Sequence, residues 1–129
     1  MKDSIYKFIK EYVSYCEESI KYKLGVPELV EFPENSEIKR MLEELRLSDS
    51  NAYATIFKLD KDEVLYEYLK FALKYYDSKK MLRISSLKLA KLTEIPLLTI
   101  RRFENLQHIA SFKMICVFAK SVNLTLTWQ

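Results

Sequence analysis

Apolar side chains recur three and four positions apart along most of this chain, which is the spacing of one face of an α-helix. The pattern predicts a first amphipathic helix over residues 4–24 and a second over residues 36–47, where Ser36 is a suitable N-cap. Two prolines place a connection between them, in residues 26–35. The apolar segment 52–59 fits either a short strand or a helical turn.

A third predicted helix is apolar around most of its circumference. Asp60 and Glu63 resemble a capping box, with Asp in place of Ser or Thr, and predict that this helix begins beside them. Its polar residues recur at alternating spacings of four and three, so they form one narrow stripe: Glu63, Glu67, Lys70, Lys74 and Asp77. Because a helix exposed along a single stripe has to be covered elsewhere, we expect it at the centre, between the N-terminal helices and the C-terminal residues. Self-association is the other way to cover it.

The composition also favours helices. One glycine and three prolines in 129 residues are too few for the many turns of a β-rich fold, so the predicted fold class is all-α. The length suits one domain, or one small domain with an extension. We divide the chain into an N-terminal helical extension, residues 1–60, for dimerisation or partner binding, and a C-terminal domain, residues 61–129.

Basic residues are concentrated in the C-terminal part. From Met81 onward there are seven Lys/Arg and two Asp/Glu, a net charge of +5. The first eighty residues carry 14 basic and 16 acidic residues, a net charge of −2. This asymmetry is expected of a protein whose C-terminal part meets a polyanion, and chance placement of a few lysines is the alternative.

Cysteines and tyrosines are assigned structural roles. Cys16 and Cys116 fall on apolar faces and are interpreted as buried, reduced thiols rather than metal ligands. All nine tyrosines precede Met81, and they either line a protein interface or, as we favour for most of them, border the core with their hydroxyls in water. The sequence shows neither a charged-then-apolar leader nor an apolar run near 18 residues, so we expect a cytoplasmic protein with no membrane partner.

Three short helices with two tight connections are predicted at the C-terminal end. Ser85 or Ser86 caps the first, over residues 85–93, and a brief turn leads to the second, over residues 97–105. A loop and a last helix capped by Ser111 complete this end. The side chains expected to point inward from the first two helices are Leu89, Leu92, Ile100 and Phe103.

In this order the residues resemble the Cro/lambda-repressor-like (XRE-type) helix-turn-helix family. The features in register are Ser85-Ser86, Leu89-Ala90, Ile95, Thr99-Ile100, Phe103-Glu104-Asn105, Ser111 and Ala119. The resemblance covers Ile84–Leu126 without gaps and does not reach residues 1–60. It implies a lambda-repressor-like helix-turn-helix bundle, in which the second short helix is held so that it enters the major groove of DNA. Residues 61–129 are then the DNA-binding domain.

The resemblance also implies which residues meet DNA. Ser86 falls at a phosphate-contacting position, and the loop residues that fall at backbone-phosphate positions are Asn105, Gln107 and His108. The residues at base-edge positions are Leu97, Leu98, Thr99 and Arg102, with Arg101 beside them. Arg102 is able to bind guanine O6 and N7 bidentately, and Ser86 is able to bind a phosphate at a helix N-terminus.

Several positions differ from the family pattern. Glu94 stands where the family has a turn glycine, and a non-glycine residue in a left-handed conformation costs about 1–2 kcal/mol. Pro96 replaces the Ser/Thr cap, and Leu106 replaces the glycine after Glu-Asn. Leu97 and Leu98 would pack on thymine methyl groups at an A/T-leaning site. Otherwise this face binds protein, or the unit is purely structural.

The resemblance implies a transcriptional regulator that binds a double-stranded DNA operator, as a homodimer on half-sites roughly 34–36 Å apart. A phage-type repressor and an antitoxin that represses its own operon both fit. The alternative is an interaction protein that keeps the helix-turn-helix fold and binds or neutralises a protein partner, through its N-terminal part or the Leu97/Leu98 face. No enzyme, metal or cofactor is predicted, because the chain has one histidine and its single glycine excludes a glycine-rich phosphate loop.

Overall fold

A computed structural model describes residues 2–21 and 36–124. The helices in these ranges are α1 (Asp3–Lys21), α2 (Glu37–Ser48), α3 (Ser50–Lys61), α4 (Leu65–Met81), α5 (Ser86–Thr93), α6 (Leu97–Glu104) and α7 (Phe112–Ser121). The described residues contain no strand, which confirms the all-α prediction. None of these helices is both long and apolar enough to cross a bilayer.

The first two helices bury the apolar stripes that predicted them. α1 packs against α2 and α4, and the side chains that it buries are Ile5, Phe8, Ile9, Tyr12, Val13 and Cys16. α2 begins where predicted, because the Ser36 hydroxyl accepts a hydrogen bond from the Lys39 N–H at 3.2 Å. Residues 22–24 of the first predicted helix, and the connection in residues 26–35, lie outside the described residues.

The ambiguous segment 52–59 is part of a helix, α3. Its buried residues are Ala52, Thr55, Ile56 and Leu59. Their spacings of three, one and three are those of a helix face, whereas a strand would bury every second residue. Asp49 caps the helix, since its carboxylate accepts a hydrogen bond from the Ala52 N–H at 3.1 Å.

The predicted capping box at Asp60 is wrong. Asp60 lies in the last turn of α3, and α4 begins at Leu65 without a side-chain cap. Glu63 has a φ of 60° and ends α3 instead. Its N–H donates to the Asp60 carbonyl, and the Val64 N–H donates to the Leu59 carbonyl, which are the two bonds of a Schellman motif. The sequence pattern misled because the spacing of Asp60 and Glu63 is that of a capping box but does not by itself show whether a helix begins or ends there.

Non-glycine residues end five of the described helices in the left-handed conformation. These residues are Glu63, Arg83, Glu94, Leu106 and Asn123, with φ between 56° and 61°. Glycine is the usual residue at such positions, because a Cβ atom costs about 1–2 kcal/mol there. The chain therefore tolerates backbone strain at five helix ends, and the scarcity of glycine did not mean a scarcity of tight turns.

The central position predicted for the third helix is confirmed by α4. Its buried residues are Leu65, Tyr66, Tyr68, Leu69, Ala72, Tyr75 and Tyr76. One side contacts α1 and α3. On the other side, the Tyr75 ring lies 5.2 Å from the ring of Phe103 in α6 and 5.4 Å from that of Phe118 in α7. Buried side chains from residues 1–60 and from residues 61–129 consequently belong to one hydrophobic core.

Most of the described tyrosines are more buried than predicted. The buried ones are Tyr12, Tyr66, Tyr68, Tyr75 and Tyr76. The hydroxyl of Tyr68 accepts a hydrogen bond from the Ala110 N–H at 3.0 Å, so it is used inside the protein rather than in water. Of the two thiols, Cys16 is buried as expected, whereas Cys116 is half-buried.

Candidate nucleic-acid interface

The turn between α5 and α6 contains a residue in the left-handed conformation, Glu94. Ser85 caps α5 by accepting a hydrogen bond from the Lys88 N–H at 3.1 Å. Glu94 ends the helix with φ 61° and ψ 14°, and its N–H donates to the Ala90 carbonyl at 3.0 Å. α6 starts three residues later, after Pro96, without a side-chain cap. Glu94 thus adopts the conformation for which glycine is usual, despite its Cβ atom.

The inner sides of α5 and α6 are anchored in the core. Leu89, Ile100 and Phe103 are fully buried, as predicted. Leu92, predicted to point inward, is 63% exposed, so this prediction is wrong. The buried side of α5 extends from Leu89 toward the partly covered Ala90. Leu92 lies about 60° from Leu89 in the other direction, outside this side of the helix.

The outer side of α6 exposes two of the residues at predicted base-edge positions, Leu98 and Arg102, and Arg101 beside them. Leu98 is 58% exposed, and Arg101 and Arg102 are exposed beside it. Since each residue advances a helix by about 100°, these three side chains lie opposite Ile100 and Phe103. Leu97 and Thr99 are half-buried at the edges of this face. We call Leu98, Arg101 and Arg102 the outer face of α6.

A buried carboxylate fixes the inner side of α6, and the sequence reasoning gave it no role. Glu104 is 2% exposed, forms an ion pair with Lys79 of α4, and accepts a hydrogen bond from the Tyr75 hydroxyl at 3.0 Å. The Tyr76 hydroxyl donates a hydrogen bond to the backbone carbonyl of Glu104 at 2.6 Å. Burial, and secondarily the charge of Glu104, raise the pKa values of both tyrosines, so their hydroxyls remain protonated donors. The signal was present, because Glu104 is four positions from Ile100 and shares its face.

Ser86 belongs to the same network. Its hydroxyl donates to Glu104 Oε1 at 2.6 Å and accepts from Lys79 Nζ at 2.6 Å. The oxygen assigned to a DNA phosphate by the resemblance is therefore engaged within the protein, where it links α4, α5 and α6. The structure thus ties Ser86 to the support of α6.

The loop after α6 is tied to the N-terminal part. Asn105 Oδ1 accepts a hydrogen bond from the Lys2 N–H at 3.1 Å, and Gln107 Nε2 donates to Asp49 Oδ2 at 3.2 Å. The Lys2 ammonium group pairs with the same Asp49 oxygen at 2.9 Å. His108 is exposed. We call Lys2, Asp49, Asn105 and Gln107 the loop clamp.

Asp49 is the charged centre of the loop clamp. Its burial acts to raise the pKa of the carboxyl group, but hydrogen bonds from Lys2, the Ala52 N–H and Gln107 outweigh this effect and lower the pKa. Asp49 therefore remains a carboxylate near neutral pH. Sequence reasoning treated this residue only as part of a polar turn, because its partners are 47 and 58 positions away along the chain.

The surface of the C-terminal part is more positive than the net charge of +5 counted from the sequence. All seven basic residues after Met81 are exposed. Of the two acidic residues, Glu94 is exposed but Glu104 is buried against Lys79. Between residues 82 and 124 the surface accordingly presents seven basic side chains and one acidic one.

No family model, curated protein or solved structure matches this chain.

Proposed function

We propose that this protein is a sequence-specific regulator of transcription that binds double-stranded DNA through the outer face of α6. The observation that carries the proposal is the combination of Leu98, Arg101 and Arg102 on one exposed face, with the opposite face fixed by Ile100 and Glu104. A rigid helix with an exposed arginine pair suits the major groove, where arginine binds guanine bidentately. The surrounding basic surface supplies phosphate affinity.

In the proposed complex the residues of α6 have different tasks. Arg102 reads a guanine, and Leu98 packs against a thymine methyl group. Asn105 and Gln107 hold the loop in place through Lys2 and Asp49, and the exposed His108 beside them meets the DNA backbone. A homodimer would present two such helices to half-sites roughly 34–36 Å apart. A phage-type repressor and a self-repressing antitoxin remain two forms of the same proposal.

The test is selection of binding sites from random double-stranded DNA, and then titration at several salt concentrations. We expect an enriched motif, and an affinity whose logarithm falls linearly with the logarithm of salt concentration. Arg102→Ala should weaken binding by about 1–3 kcal/mol and relax the preference at one base pair. Arg46→Ala is the matched control, because it removes the same charge from an exposed arginine of α2. The absence of any complex at low salt would overturn the proposal.

A second candidate function is binding of a protein partner by the same face. The exposure of Leu98 favours it, since apolar side chains beside arginine are common at the centres of protein interfaces. The two functions differ in what Leu98→Ser does. For a DNA-binding protein it changes preference at one base pair, whereas for an interaction protein it removes most of the affinity for the partner.

A further inference from the structure

The outer side of α5 and the turn before it expose bulky apolar side chains. Met81 is 81% exposed, Leu87 is 53% exposed, and Leu92 is 63% exposed, with Leu82 exposed at the start of the turn. Basic side chains lie between them in the chain and are also exposed: Arg83, Lys88 and Lys91. We call these seven residues the α5 patch. It is a different surface from the outer face of α6.

The patch on α5 itself has a defined arrangement. At about 100° per residue, Leu87, Lys88, Lys91 and Leu92 form one exposed arc of α5, which faces away from the covered side that carries Ser86, Leu89, Ala90 and Thr93. The two leucines are at the edges of this arc and the two lysines lie between them. Single exposed apolar residues are ordinary on protein surfaces, but two leucines that flank two lysines on one exposed side offer a partner both apolar area and positive charge.

The positive charge of the α5 patch restricts which kind of partner is able to bind it. No acidic residue occurs between Asp77 and Glu94 in the sequence. Two copies of the patch facing each other would therefore bring like charges together, which opposes a symmetric dimer through this surface. DNA would neutralise the lysines but would leave the leucines against a charged backbone.

An anionic membrane fits less well than a protein. Membrane-surface helices separate a broad apolar face from a basic one. In α5 the fully buried apolar side chain, Leu89, points into the core, and the outer side mixes leucine with lysine. Such a mixed surface has no separate apolar face to insert into a bilayer, whereas a protein segment is able to match both the leucines and the lysines.

We propose that the α5 patch docks a segment of a protein partner that presents carboxylates beside leucine-like or aromatic side chains. The carboxylates pair with Lys88 and Lys91, and the apolar side chains cover Leu87 and Leu92. The α5 patch shares no residue with the outer face of α6, but Lys88 and Lys91 belong to the basic surface that attracts DNA phosphates, so the partner and DNA compete for these two lysines.

The probe is a displayed library of random peptides about 16 residues long, enough for four helical turns, screened against the full chain. We expect enriched peptides to combine acidic with large apolar residues. Their affinity should fall about tenfold or more, equivalent to about 1.4 kcal/mol, in the double variants Leu87→Ser/Leu92→Ser and Lys88→Glu/Lys91→Glu. All four positions are exposed, so we expect thermal unfolding to be unchanged, which the same preparations report.

Matched controls separate the patch from general stickiness. Leu47→Ser removes an exposed leucine from α2, and Lys58→Glu/Lys61→Glu reverses two exposed lysines of α3. Neither should change peptide affinity more than about twofold. Enrichment of peptides without acidic residues, or equal binding by the α5 variants, would overturn the proposal.

Two further results would also overturn it. One is binding to phosphatidylserine vesicles that is lost in the α5 variants while no peptide is enriched. The other is a dimer of the unmodified chain that the Leu87→Ser/Leu92→Ser variant dissociates. DNA affinity of the same variants, measured separately, shows whether the α6 proposal fails or survives by itself.

Discussion

Residues 1–60 and residues 61–129 are called here the N-terminal and C-terminal halves. Their arginines have different surroundings. In the N-terminal half, Arg40 pairs with Glu37 and Glu44, and Arg46 pairs with Glu43. In the C-terminal half, Arg83, Arg101 and Arg102 have no ion-pair partner among the described residues. Exposed ion pairs along a helix stabilise it by only about 0.3–0.5 kcal/mol. The main consequence of these pairs is that the guanidinium groups of Arg40 and Arg46 are already bound by carboxylates. The C-terminal arginines stay available for an anionic ligand.

The two halves nevertheless share their interior. α4 contacts the N-terminal helices on one side and the aromatic side chains of α6 and α7 on the other. The difference between the halves is therefore one of surface rather than of independent folding. Substitutions in the shared core should lower the stability of both halves. Substitutions on the exposed faces should leave the stability of both halves unchanged.

The largest effect is expected where the halves meet. Phe103 is fully buried among Tyr68, Tyr75 and Phe118, with ring centroids 4.6–6.5 Å apart. Phe103→Ala should lower the free energy of unfolding by about 3–5 kcal/mol, because it leaves a cavity in the core that both halves share. Urea unfolding monitored by circular dichroism measures it.

The control for Phe103→Ala lies on the same helix. Leu98→Ala should change the free energy of unfolding by no more than about 0.5 kcal/mol, because Leu98 is on the outer face. Both halves should unfold in one transition. Two separate transitions, with only one shifted by Phe103→Ala, would mean that the halves fold independently.

A smaller loss is expected from the buried ion pair. Glu104→Gln keeps a hydrogen-bonding group near Ser86 but leaves the Lys79 ammonium group without its counter-charge. Because Lys79 is 17% exposed and is partly reached by water, we expect a loss of about 2 kcal/mol rather than the larger cost of a fully buried charge.

A double-variant cycle tests whether the pair acts as a unit. Adding Lys79→Met to Glu104→Gln should recover part of the stability, so the double variant loses less than the two single variants together. Glu94→Gln, at an exposed glutamate in the turn before α6, serves as the control and should be nearly neutral. Additive losses would show that Glu104 and Lys79 contribute separately.

Two left-handed residues offer a third comparison. Glu94 is exposed, whereas Leu106 is fully buried, and their φ angles are 61° and 56°. Glu94→Gly relieves strain at no cost in packing and should raise the free energy of unfolding by about 1 kcal/mol. Leu106→Gly relieves the same strain but loses a buried side chain, so it should cost about 2 kcal/mol in net terms. Thermal unfolding of both variants shows whether each substitution raises or lowers the stability of the protein. Two stabilising glycines would show that Leu106 contributes little to the core.

Sequence reasoning predicted the features that depend on helical periodicity. Burial of Ile5, Phe8 and Ile9 in α1, the caps at Ser36 and Ser111, and the inward direction of Ile100 all depend on neighbours within one or two turns, and all are confirmed. The left-handed geometry at Glu94 was anticipated only as a condition on the resemblance to the helix-turn-helix family. The finer lambda-repressor-like fold, like the function, stays a prediction.

Interactions between distant parts of the chain were missed. The Glu104–Lys79 pair and the link from Asp49 to Gln107 join residues 25 and 58 positions apart, so no local pattern contains them. The error at Asp60 has a different cause, since the spacing of two acidic residues alone does not distinguish the start of one helix from the end of another. Leu92 was misplaced because a helix of eight residues gives too few positions to define its inward face.

The smallest expected effect concerns the loop clamp, through which the N-terminal half holds the loop after α6. Because the folded state lowers the pKa of Asp49, the clamp's contribution is complete above the ordinary aspartate pKa of about 4 and is lost as pH falls through the lowered value. Asp49→Asn should thus cost about 1 kcal/mol near pH 7, and the difference from the unmodified protein should shrink as the pH falls below the ordinary aspartate pKa of about 4. Asp62→Asn, at an exposed aspartate after α3, is the control and should be nearly neutral near pH 7. Urea unfolding across this pH range measures both, and a difference that stays constant with pH would mean that the Asp49 charge does not hold the clamp.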